Sequence, residues 1–312
     1  MELGIVLPQP ASDAPTPANL VETTIEQARL AVGLGVRSAW FAQRMDFDAI
    51  ALAGLVGREL PELTVGTSVV PIIGRHPLVV AAQTRTTQAA TGGRFQLGLG
   101  LGARNFLEPL FGVTEPRTIT QLREFLTVLD PLLRTGEVDF AGQTLTARTA
   151  WSGHLPGAQP PPVLVAAMGP KALRVTGELA DGTLPYLAGP KTLAEHVVPT
   201  ITEAASAAGR PAARVATLVA TVVTDRAEEI RARAVQEMAF YETIPSYRAM
   251  LDREGVARAG ELAAIGSAEQ VAEQLRAYRD AGATELVLSQ TTLGNTEEQL
   301  RTWQLAEQAR DW

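Results

Sequence analysis

Short apolar runs alternate along the chain with longer segments in which apolar residues recur every three or four positions. The short runs predict β-strands at residues 5–7, 36–42, 63–70, 95–99, 163–165, 183–187, 215–223 and 286–288. The longer segments predict helices at residues 18–32, 48–57, 77–90, 117–134, 170–180, 190–208, 225–240, from 267 onward, and 295–310. Eight strands that alternate with helices are typical of an α/β protein with a (β/α)8 (TIM) barrel, and we expect one such domain over residues 1–312. A doubly wound open sheet is the alternative, but it seldom contains so many strands of one kind.

Two stretches interrupt this alternation. Residues 137–162 are rich in proline and glycine, so we expect an irregular insertion after the fourth strand, with a small hairpin at residues 138–145. Residues 241–266 are polar and are broken by Pro245 and several glycines. This pattern predicts a second insertion, after the seventh strand, that adds no element to the core.

The composition limits the kinds of chemistry that the chain can perform. Hydrophobic residues make up 46% of the chain and charged residues 20%, which is typical of a globular domain. The formal net charge of −7 does not favour binding to nucleic acid or to an anionic membrane. The chain has no cysteine, which excludes disulfides, thiolate catalysis and cysteine-ligated metals. The three histidines, His76, His154 and His196, are far apart in sequence, and we expect no metal site.

The first residues of the chain have the character of a strand. No basic segment followed by a long apolar core is present there, so we expect no signal peptide. No apolar run has the length of a membrane span. We therefore expect a cytoplasmic protein whose partner is a small molecule rather than nucleic acid or a membrane.

Three glycines at the end of the fourth predicted strand, Gly98, Gly100 and Gly102, allow three interpretations. Their spacing superficially resembles a dinucleotide-binding fingerprint, but the third glycine comes one residue too early and no helix opens directly after it. Alternatively, the glycines let the strand pack closely against a neighbour. In the third interpretation the strand end presents bare backbone to a ligand ring.

The end of the fifth predicted strand is a candidate site for an anion. There the chain continues through Ala166, Ala167, Met168, Gly169, Pro170 and Lys171. Pro170 suits the first turn of a helix, whose unpaired N–H groups attract phosphate or carboxylate. Lys171 and Arg174 add positive charge. A plain turn between strand and helix is the alternative.

Polar residues also follow two other predicted strands. Gln43, Arg44 and Asp46 come after the second strand, where they lie either at the mouth of the barrel or in a solvated loop. Ser68 lies inside the apolar third strand, and His76 immediately precedes the third helix. Each of these two residues either contacts a ligand or only bonds the local backbone.

Several segments recur in a defined order: Gly4-x-x-x-Pro8, Ser38-Ala39-Trp40-Phe41, Gly66-Thr67-Ser68-Val69, Arg75-His76-Pro77, Gly93-Arg94-Phe95-x-Leu97-Gly98-x-Gly100, Ala166-Ala167-x-Gly169-Pro170 and Leu179-Ala180-Asp181-Gly182. No single segment is decisive, but the ordered set covers nearly the whole chain. It resembles the bacterial luciferase-like superfamily, in particular its coenzyme F420-dependent (deazaflavin) oxidoreductases.

The resemblance implies a (β/α)8 barrel that binds a flavin or deazaflavin over the carboxyl ends of its strands. It places the tricyclic ring against Ser68, Val69 and Val70, with a non-prolyl cis peptide between Ser68 and Val69. The remaining cofactor contacts that it implies are Gly100, Leu101 and Gly102 along the ribityl chain, residues 166–170 with Lys171 at the phosphate, Gln43 at the reacting edge of the ring, and His76. Relatives commonly form homodimers, so we expect a homodimer here.

Two departures from the family pattern affect the predicted activity. The sugar-phosphate dehydrogenases of the family have an Asp-His pair where this chain has Gln43 and Arg44, and a catalytic glutamate where it has Ala103. A methyl group cannot donate or accept a proton, so we do not expect that sugar-phosphate activity. Gln43, Arg44 and Asp46 are our candidate catalytic residues, with Arg104 as a further replacement.

The resemblance implies hydride transfer between F420 and a small organic substrate. Residues 103–117 and 241–266 would cover the substrate, and their aromatic residues form either an apolar lid or part of the core: Phe106, Phe111, Phe240, Tyr241 and Tyr247. The alternatives are an FMN-dependent monooxygenase on the same fold, a non-catalytic flavin-binding protein, and a barrel enzyme without flavin. Deazaflavin lacks the ring nitrogen needed for an oxygen adduct, so consumption of oxygen distinguishes the first alternative.

Overall fold

The structure is a computed structural model, and it describes residues 1–102, 104–113, 117–309 and 312. The strands in this part of the chain are β1 (Glu2–Leu7), β2 (Ser38–Phe41), β3 (Thr64–Thr67), β4 (Val70–Pro71), β5 (Phe95–Gly100), β6 (Asp139–Ala141), β7 (Thr146–Arg148), β8 (Val163–Ala166), β9 (Gly182–Thr183), β10 (Arg214–Val223), β11 (Ala264–Gly266) and β12 (Glu285–Ser289). The helices are α1 (Leu20–Gly33), α2 (Ala49–Glu59), α3 (Pro77–Ala90), α4 (Arg104–Phe111), α5 (Thr118–Arg134), α6 (Pro170–Leu179), α7 (Pro190–Thr192), α8 (Val198–Ala207), α9 (Ala227–Glu237), α10 (Pro245–Glu254), α11 (Ala268–Asp280), α12 (Thr296–Trp303) and α13 (Leu305–Gln308).

The chain divides into two compact units. The first comprises Met1–Trp40, Leu184–Pro199 and Arg214–Trp312. Its strands pair in parallel in the order β11, β10, β12 and β1. Helix α1 contacts β1, α11 contacts β11, and α12 contacts β10, so helices pack on the parallel strands of this unit as in a (β/α)8 barrel.

The second unit comprises Phe41–Thr183 and Thr200–Ala213. Its strands pair in parallel in the order β3, β5, β8 and β9, and the short β4 pairs with β5 beyond the end of β3. Helices α2, α3, α5 and α6 pack in sequence against one another. Because the strands are parallel, the carboxyl ends of β4, β5 and β8 lie along one edge of this sheet.

The sequence predicts most of these elements to within a few residues. The α3 helix spans the predicted residues 77–90, and the β6–β7 hairpin lies in the first predicted insertion, although its second strand begins after Leu145. The sixth strand is shorter than predicted, because regular pairing with β8 ends at Thr183.

The expectation for residues 241–266 was wrong in part, since this stretch contains α10 and β11. Pro245 occupies the first turn of α10, and Gly255 ends the helix in a left-handed conformation with φ of 89°. Only Met250 and Leu251 of α10 are buried, so the helix has too few apolar residues for a clear helical pattern. The three residues of β11 continue the sheet beside β10.

No helix among the described residues is both long enough and apolar enough to span a membrane.

A buried carboxylate joins α12 to the loop after β10 in the first unit. Glu298 is 2% exposed, and it accepts hydrogen bonds from Arg226, from the Thr224 hydroxyl and from the Asn295 N–H. Burial alone would raise the pKa of Glu298, but these hydrogen bonds outweigh it and lower the pKa to about 2. The ionised carboxylate is therefore part of the folded structure at neutral pH.

Replacing this carboxylate should weaken the fold in a pH-dependent way. Glu298→Gln should lower the free energy of unfolding at neutral pH by about 2 kcal/mol, because hydrogen bonds to a buried charge are lost. The folded pKa lies below the ordinary value of 4.5, so this contribution is complete above that pH and is lost as the pH falls towards 2. Urea denaturation across this range measures it.

A neighbouring residue provides the control. Glu229→Gln removes an exposed partner of Arg226 and should change the free energy of unfolding by less than about 0.5 kcal/mol. Equal effects of the two substitutions, or the same pH dependence in Glu298→Gln as in the wild type, would contradict this assignment.

Candidate active site

The carboxyl ends of β4, β5 and β8 in the second unit bring together most of the residues that the sequence singled out. The chain between β3 and β4 leaves the regular ladder at Ser68 and Val69, which are joined by a non-prolyl cis peptide as the resemblance implied. The Ser68 N–H donates to the Phe41 carbonyl at 2.8 Å, and the Gln43 N–H donates to the Val69 carbonyl at 3.4 Å. Val70 resumes the ladder opposite Leu99. We call residues 68 and 69 the strand-3 bulge.

Gly100 fits closely under the strand-3 bulge. A Cβ atom added at Gly100 would lie 2.5 Å from Cγ2 of Val69, which is much shorter than a van der Waals contact. The Gly100 carbonyl accepts a hydrogen bond from the Ile72 N–H at 2.9 Å, so the backbone at this point is fixed. Close packing therefore accounts for one glycine of the Gly98-x-Gly100-x-Gly102 pattern.

The other two glycines have different roles. The Gly98 N–H donates to the Thr67 hydroxyl, which in turn donates to the Gly98 carbonyl, so this part of β5 is bonded to β3. Gly102 is exposed and has a φ of 77°, a conformation that other residues rarely adopt. Leu101 beside it is half-buried. Contrary to the expectation from sequence, a helix (α4) begins at Arg104, two residues after Gly102. The roles of Gly98 and Gly100 in the sheet nevertheless account for the pattern by packing and a strand-end turn.

Ser68 carries a polar atom that the protein does not satisfy. Its hydroxyl oxygen is buried, and no described residue forms a hydrogen bond with it. A buried hydroxyl without a partner costs free energy unless a ligand supplies one. Ser68 and Val69 are half-buried, whereas Val70 is fully buried, so a ligand at the bulge would meet Val69 and one hydrogen-bonding group.

The start of α6 fits the predicted anion site. Gly169 is the residue before the helix, no side chain caps the helix there, and Pro170 occupies its first turn. A Cβ atom added at Gly169 would have no neighbour within 4 Å. Lys171 and Arg174 are exposed and form no ion pair with any described residue. Within the described part of the chain, no side chain caps the start of α6, and two exposed cations lie in its first turns.

Hydrogen bonds from Thr183 hold the backbone of the turn that leads into α6. Ala167 and Met168 are buried and Ala166 is half-buried. The Thr183 hydroxyl lies 2.9 Å from the Val165 carbonyl and 3.0 Å from the Ala167 carbonyl, which fixes the backbone of the turn. The direction in which the first N–H groups of α6 point is therefore set by the fold.

The candidate catalytic residues after β2 are engaged in their own loop. The Gln43 amide donates to the carbonyls of Arg44 and Phe47, and its oxygen accepts from the Ala49 N–H at 3.1 Å. Arg44 forms an exposed ion pair with Asp46 at 3.0 Å. The hydrogen-bonding capacity of Gln43 is thus used to shape the loop and the start of α2.

Arg75, which sequence reasoning did not select as a site residue, connects this loop to α3. Its guanidinium donates to Gln43 Oε1 at 2.9 Å, to Asp48 Oδ2 at 2.7 Å and to Gln83 Oε1 at 3.2 Å. Partial burial works to raise the pKa of Asp48, but hydrogen bonds from the Ala51 N–H and from Arg75 outweigh it and lower that pKa. The only sequence feature that pointed to Arg75 was its position in the Arg75-His76-Pro77 segment, which is part of the family resemblance.

His76 acts as a structural link. Its Nδ1 accepts from the Leu78 N–H at the start of α3, and its Nε2 lies 3.0 Å from the Thr146 carbonyl in the hairpin. With Nδ1 as the acceptor, Nε2 is placed to donate to the Thr146 carbonyl. Both ring nitrogens therefore have partners within the second unit.

Glu124 of α5 holds the loop of the β6–β7 hairpin. Its carboxylate accepts from the N–H groups of Gln143, Thr144 and Leu145. A Cβ atom added at Gly142 would collide with this carboxylate, at 2.4 Å from its carbon. The hairpin is thus anchored both at α5 and at α3.

Some predicted residues lie elsewhere. Ala103 is outside the described residues, as are the side chains of Arg104 and Phe106. Phe111 is 41% exposed and contacts Gly74 in the second unit.

Tyr241 and Tyr247 belong to the first unit. They pack edge-on against Tyr186, with ring centroids 5.2 Å and 5.7 Å apart, beside a buried core cluster. Burial raises the pKa of Tyr247 to about 12. Phe240, at 51% exposed, lies at the edge of this group. Among the described residues, no group of three or more His, Asp or Glu side chains is placed to hold a metal ion.

The contact between Val69 and Gly100 can be tested by substitution. Gly100→Ala should lower the free energy of unfolding by about 1–3 kcal/mol, because the added methyl group overlaps Val69. Val69→Ala removes the γ-methyl group in the way, so the Gly100→Ala/Val69→Ala protein should recover most of that loss. Chemical denaturation of the four proteins in a double-mutant cycle measures the coupling. Strictly additive effects would show that this contact does not constrain the bulge.

The chain is similar to several known proteins. The model of the luciferase-like monooxygenase family matches residues 1–285. The chain is 26% identical over 259 residues to the 5,10-methylenetetrahydromethanopterin reductase of Methanopyrus kandleri, which covers 77% of this chain and 71% of the relative. It is 29% identical over 196 residues to an F420-dependent glucose-6-phosphate dehydrogenase of Nakamurella multipartita, covering 61% of this chain and 57% of the relative.

Two solved structures show the fold. The coenzyme F420 dependent tetrahydromethanopterin reductase of Methanopyrus kandleri superposes with a TM-score of 0.81 at 19% identity and covers 99% of both chains. The oxygenating constituent of 3,6-diketocamphane monooxygenase of Pseudomonas putida, in complex with FMN, superposes with a TM-score of 0.76 at 15% identity, over 98% of this chain and 97% of the other. The predicted (β/α)8 barrel is thereby confirmed. This chain belongs to the luciferase-like monooxygenase family.

Proposed function

We propose that this protein is an F420-dependent oxidoreductase that transfers a hydride between the deazaflavin ring and a small organic substrate. The observation that carries the proposal is the combination of an apolar bulge and an uncapped, positively charged helix start along one edge of the second unit. A flat tricyclic ring with an anionic tail requires both features. When bound, the cofactor supplies the hydride chemistry itself.

The residues of the chain fit each part of this cofactor. Val69 would support one face of the ring and keep water away from it, while the fully buried Val70 would hold the bulge in place from behind. The Ser68 hydroxyl, which has no hydrogen-bond partner among the described residues, would bond a polar atom of the ring. The first N–H groups of α6, with Lys171 and Arg174, would hold the phosphate and the acidic tail.

The negative net charge of the chain makes Lys171 and Arg174 important for binding an anionic cofactor. The chain as a whole carries a formal charge of −7, so an anionic cofactor is repelled by most of the surface. Lys171 and Arg174 have no acidic partner among the described residues, which leaves their charge available to a ligand.

The relatives in sequence point in the same direction. The relative from Nakamurella multipartita is named for its dependence on F420, whereas the FMN-bound neighbour resembles this chain in fold alone. FMN therefore remains the alternative cofactor, and a monooxygenase remains the alternative activity. The loop of Gln43, Arg44 and Asp46 would border the reacting edge of the ring, where Arg75 keeps Gln43 in one orientation.

One titration series tests the proposal. The wild-type protein and Gly169→Val are each titrated with three ligands, and ring fluorescence is the readout. The ligands are F420, FMN and a deazaflavin that carries the ribityl chain without phosphate. In the wild type, F420 should bind more tightly than FMN, and its reduced form should be stable in the presence of oxygen and protein. Tight binding of reduced FMN with substrate-dependent oxygen consumption would overturn the proposal in favour of the monooxygenase.

Gly169→Val tests the placement of the anionic end. The added side chain meets no protein atom within 4 Å at its Cβ, so the melting temperature should not change. The branched side chain should weaken F420 binding by about tenfold or more, since it occupies the space before the helix N–H groups. Binding of the phosphate-free deazaflavin should be unaffected. Equal losses for both ligands would place the phosphate elsewhere.

A further inference from the structure

Gln290 of the first unit adopts an unfavourable backbone conformation directly after β12. Its φ and ψ are 45° and 30°, in the left-handed region. Within the described residues, Leu187 is the only other non-glycine residue with a positive φ. Left-handed residues other than glycine are strained, and they persist where the surrounding structure enforces them.

The side chain of Gln290 is unfavourably placed as well. Its Oε1 atom is buried, and no described residue donates a hydrogen bond to it. The Nε2 atom of the same amide forms no hydrogen bond with any described residue either. The left-handed backbone and the buried, unpaired acceptor of Gln290 each cost free energy of folding. Residues that carry such costs are concentrated at functional sites.

The segment that follows holds Gln290 in this conformation. The N–H and the hydroxyl of Thr291 both donate to Gln9 Oε1, at 3.0 Å and 2.8 Å. The Gln299 amide donates to the Gln9 carbonyl at 2.9 Å and to the Thr291 hydroxyl at 3.0 Å. The Leu293 N–H closes the turn onto the Gln290 carbonyl at 3.0 Å. The amide of Gln290 is thus presented by a rigid turn rather than by a mobile loop.

We propose that the Gln290 amide is a ligand-binding group that recognises a neutral edge carrying an N–H donor beside a carbonyl acceptor, as in a lactam or a cis-amide. The donor would satisfy the buried Oε1, and the carbonyl would accept from Nε2. Gln290 follows the carboxyl end of a parallel strand, which is the end where (β/α)8 barrels bind their ligands. The proposal goes beyond the hydride-transfer function and does not depend on the identity of the cofactor.

The test uses the 312-residue protein without cofactor, so that it is independent of the proposed function. The protein is labelled with ¹⁵N in its glutamine side chains and titrated with 2-pyrrolidone, and then with N-methyl-2-pyrrolidone, which has the carbonyl but no N–H. 2-Pyrrolidone should shift the side-chain amide signal of Gln290 in a saturable manner. The N-methyl compound should bind more weakly by about tenfold, as expected for the loss of one hydrogen bond.

Variants separate binding from a purely structural role. Gln290→Leu and Gln290→Gly should each weaken 2-pyrrolidone binding by about tenfold, measured by saturation-transfer NMR. Gln290→Gly should have a melting temperature at or above that of the wild type, because glycine adopts the left-handed region without steric cost. Gln304→Leu, which alters an exposed glutamine after α12, is the control and should leave binding unchanged.

Three results would overturn the proposal. These are the absence of any shift at Gln290, equal binding of the two lactams, and wild-type affinity in both Gln290 variants. A lower melting temperature of Gln290→Gly with unchanged lactam binding would show that the residue is structural.

Discussion

The close approach of Val69 to the bare backbone of Gly100 is the constraint on which the candidate site depends. It seats the strand-3 bulge on β5, while Phe41 and Gln43 hold the same bulge from the end of β2. Because interiors are packed at high density, such a contact defines a position to within a fraction of an ångström. The apolar wall and the Ser68 hydroxyl thereby acquire a fixed geometry before any ligand arrives, which is the pre-organisation that binding and hydride transfer require.

Electrostatics complement this rigid wall at the start of α6. Several arginines of the chain are paired with carboxylates, as in the ion pairs of Arg75 and Arg226. Lys171 and Arg174 form no ion pair with any described residue, and they lie in the first turns of a helix that no side chain caps. In a chain with net negative charge, such a helix start is a local region of positive potential that can attract an anion.

The sequence was sufficient to predict the alternating strands and helices, but not the side-chain hydrogen bonds that link the loops at their ends. Helix α3 could be predicted to the residue because Pro77 marks its start and Gly92 and Gly93 follow its end. The roles of Arg75 and Gln43 could not, since they depend on three-dimensional contacts between residues 32 positions apart. Helix α10 was missed because it buries few residues. The strain at Gln290 leaves no pattern in the sequence at all, since it arises from contacts with Gln9, which is 282 positions from Thr291.

A crystal structure of the protein with bound F420 tests the central claim most directly. The account predicts that the ring lies flat against the strand-3 bulge at Val69, and that a phosphate oxygen lies about 3 Å from the N–H of Lys171 or Ala172. A ring bound away from the strand-3 bulge, or a phosphate held away from the start of α6, would contradict it.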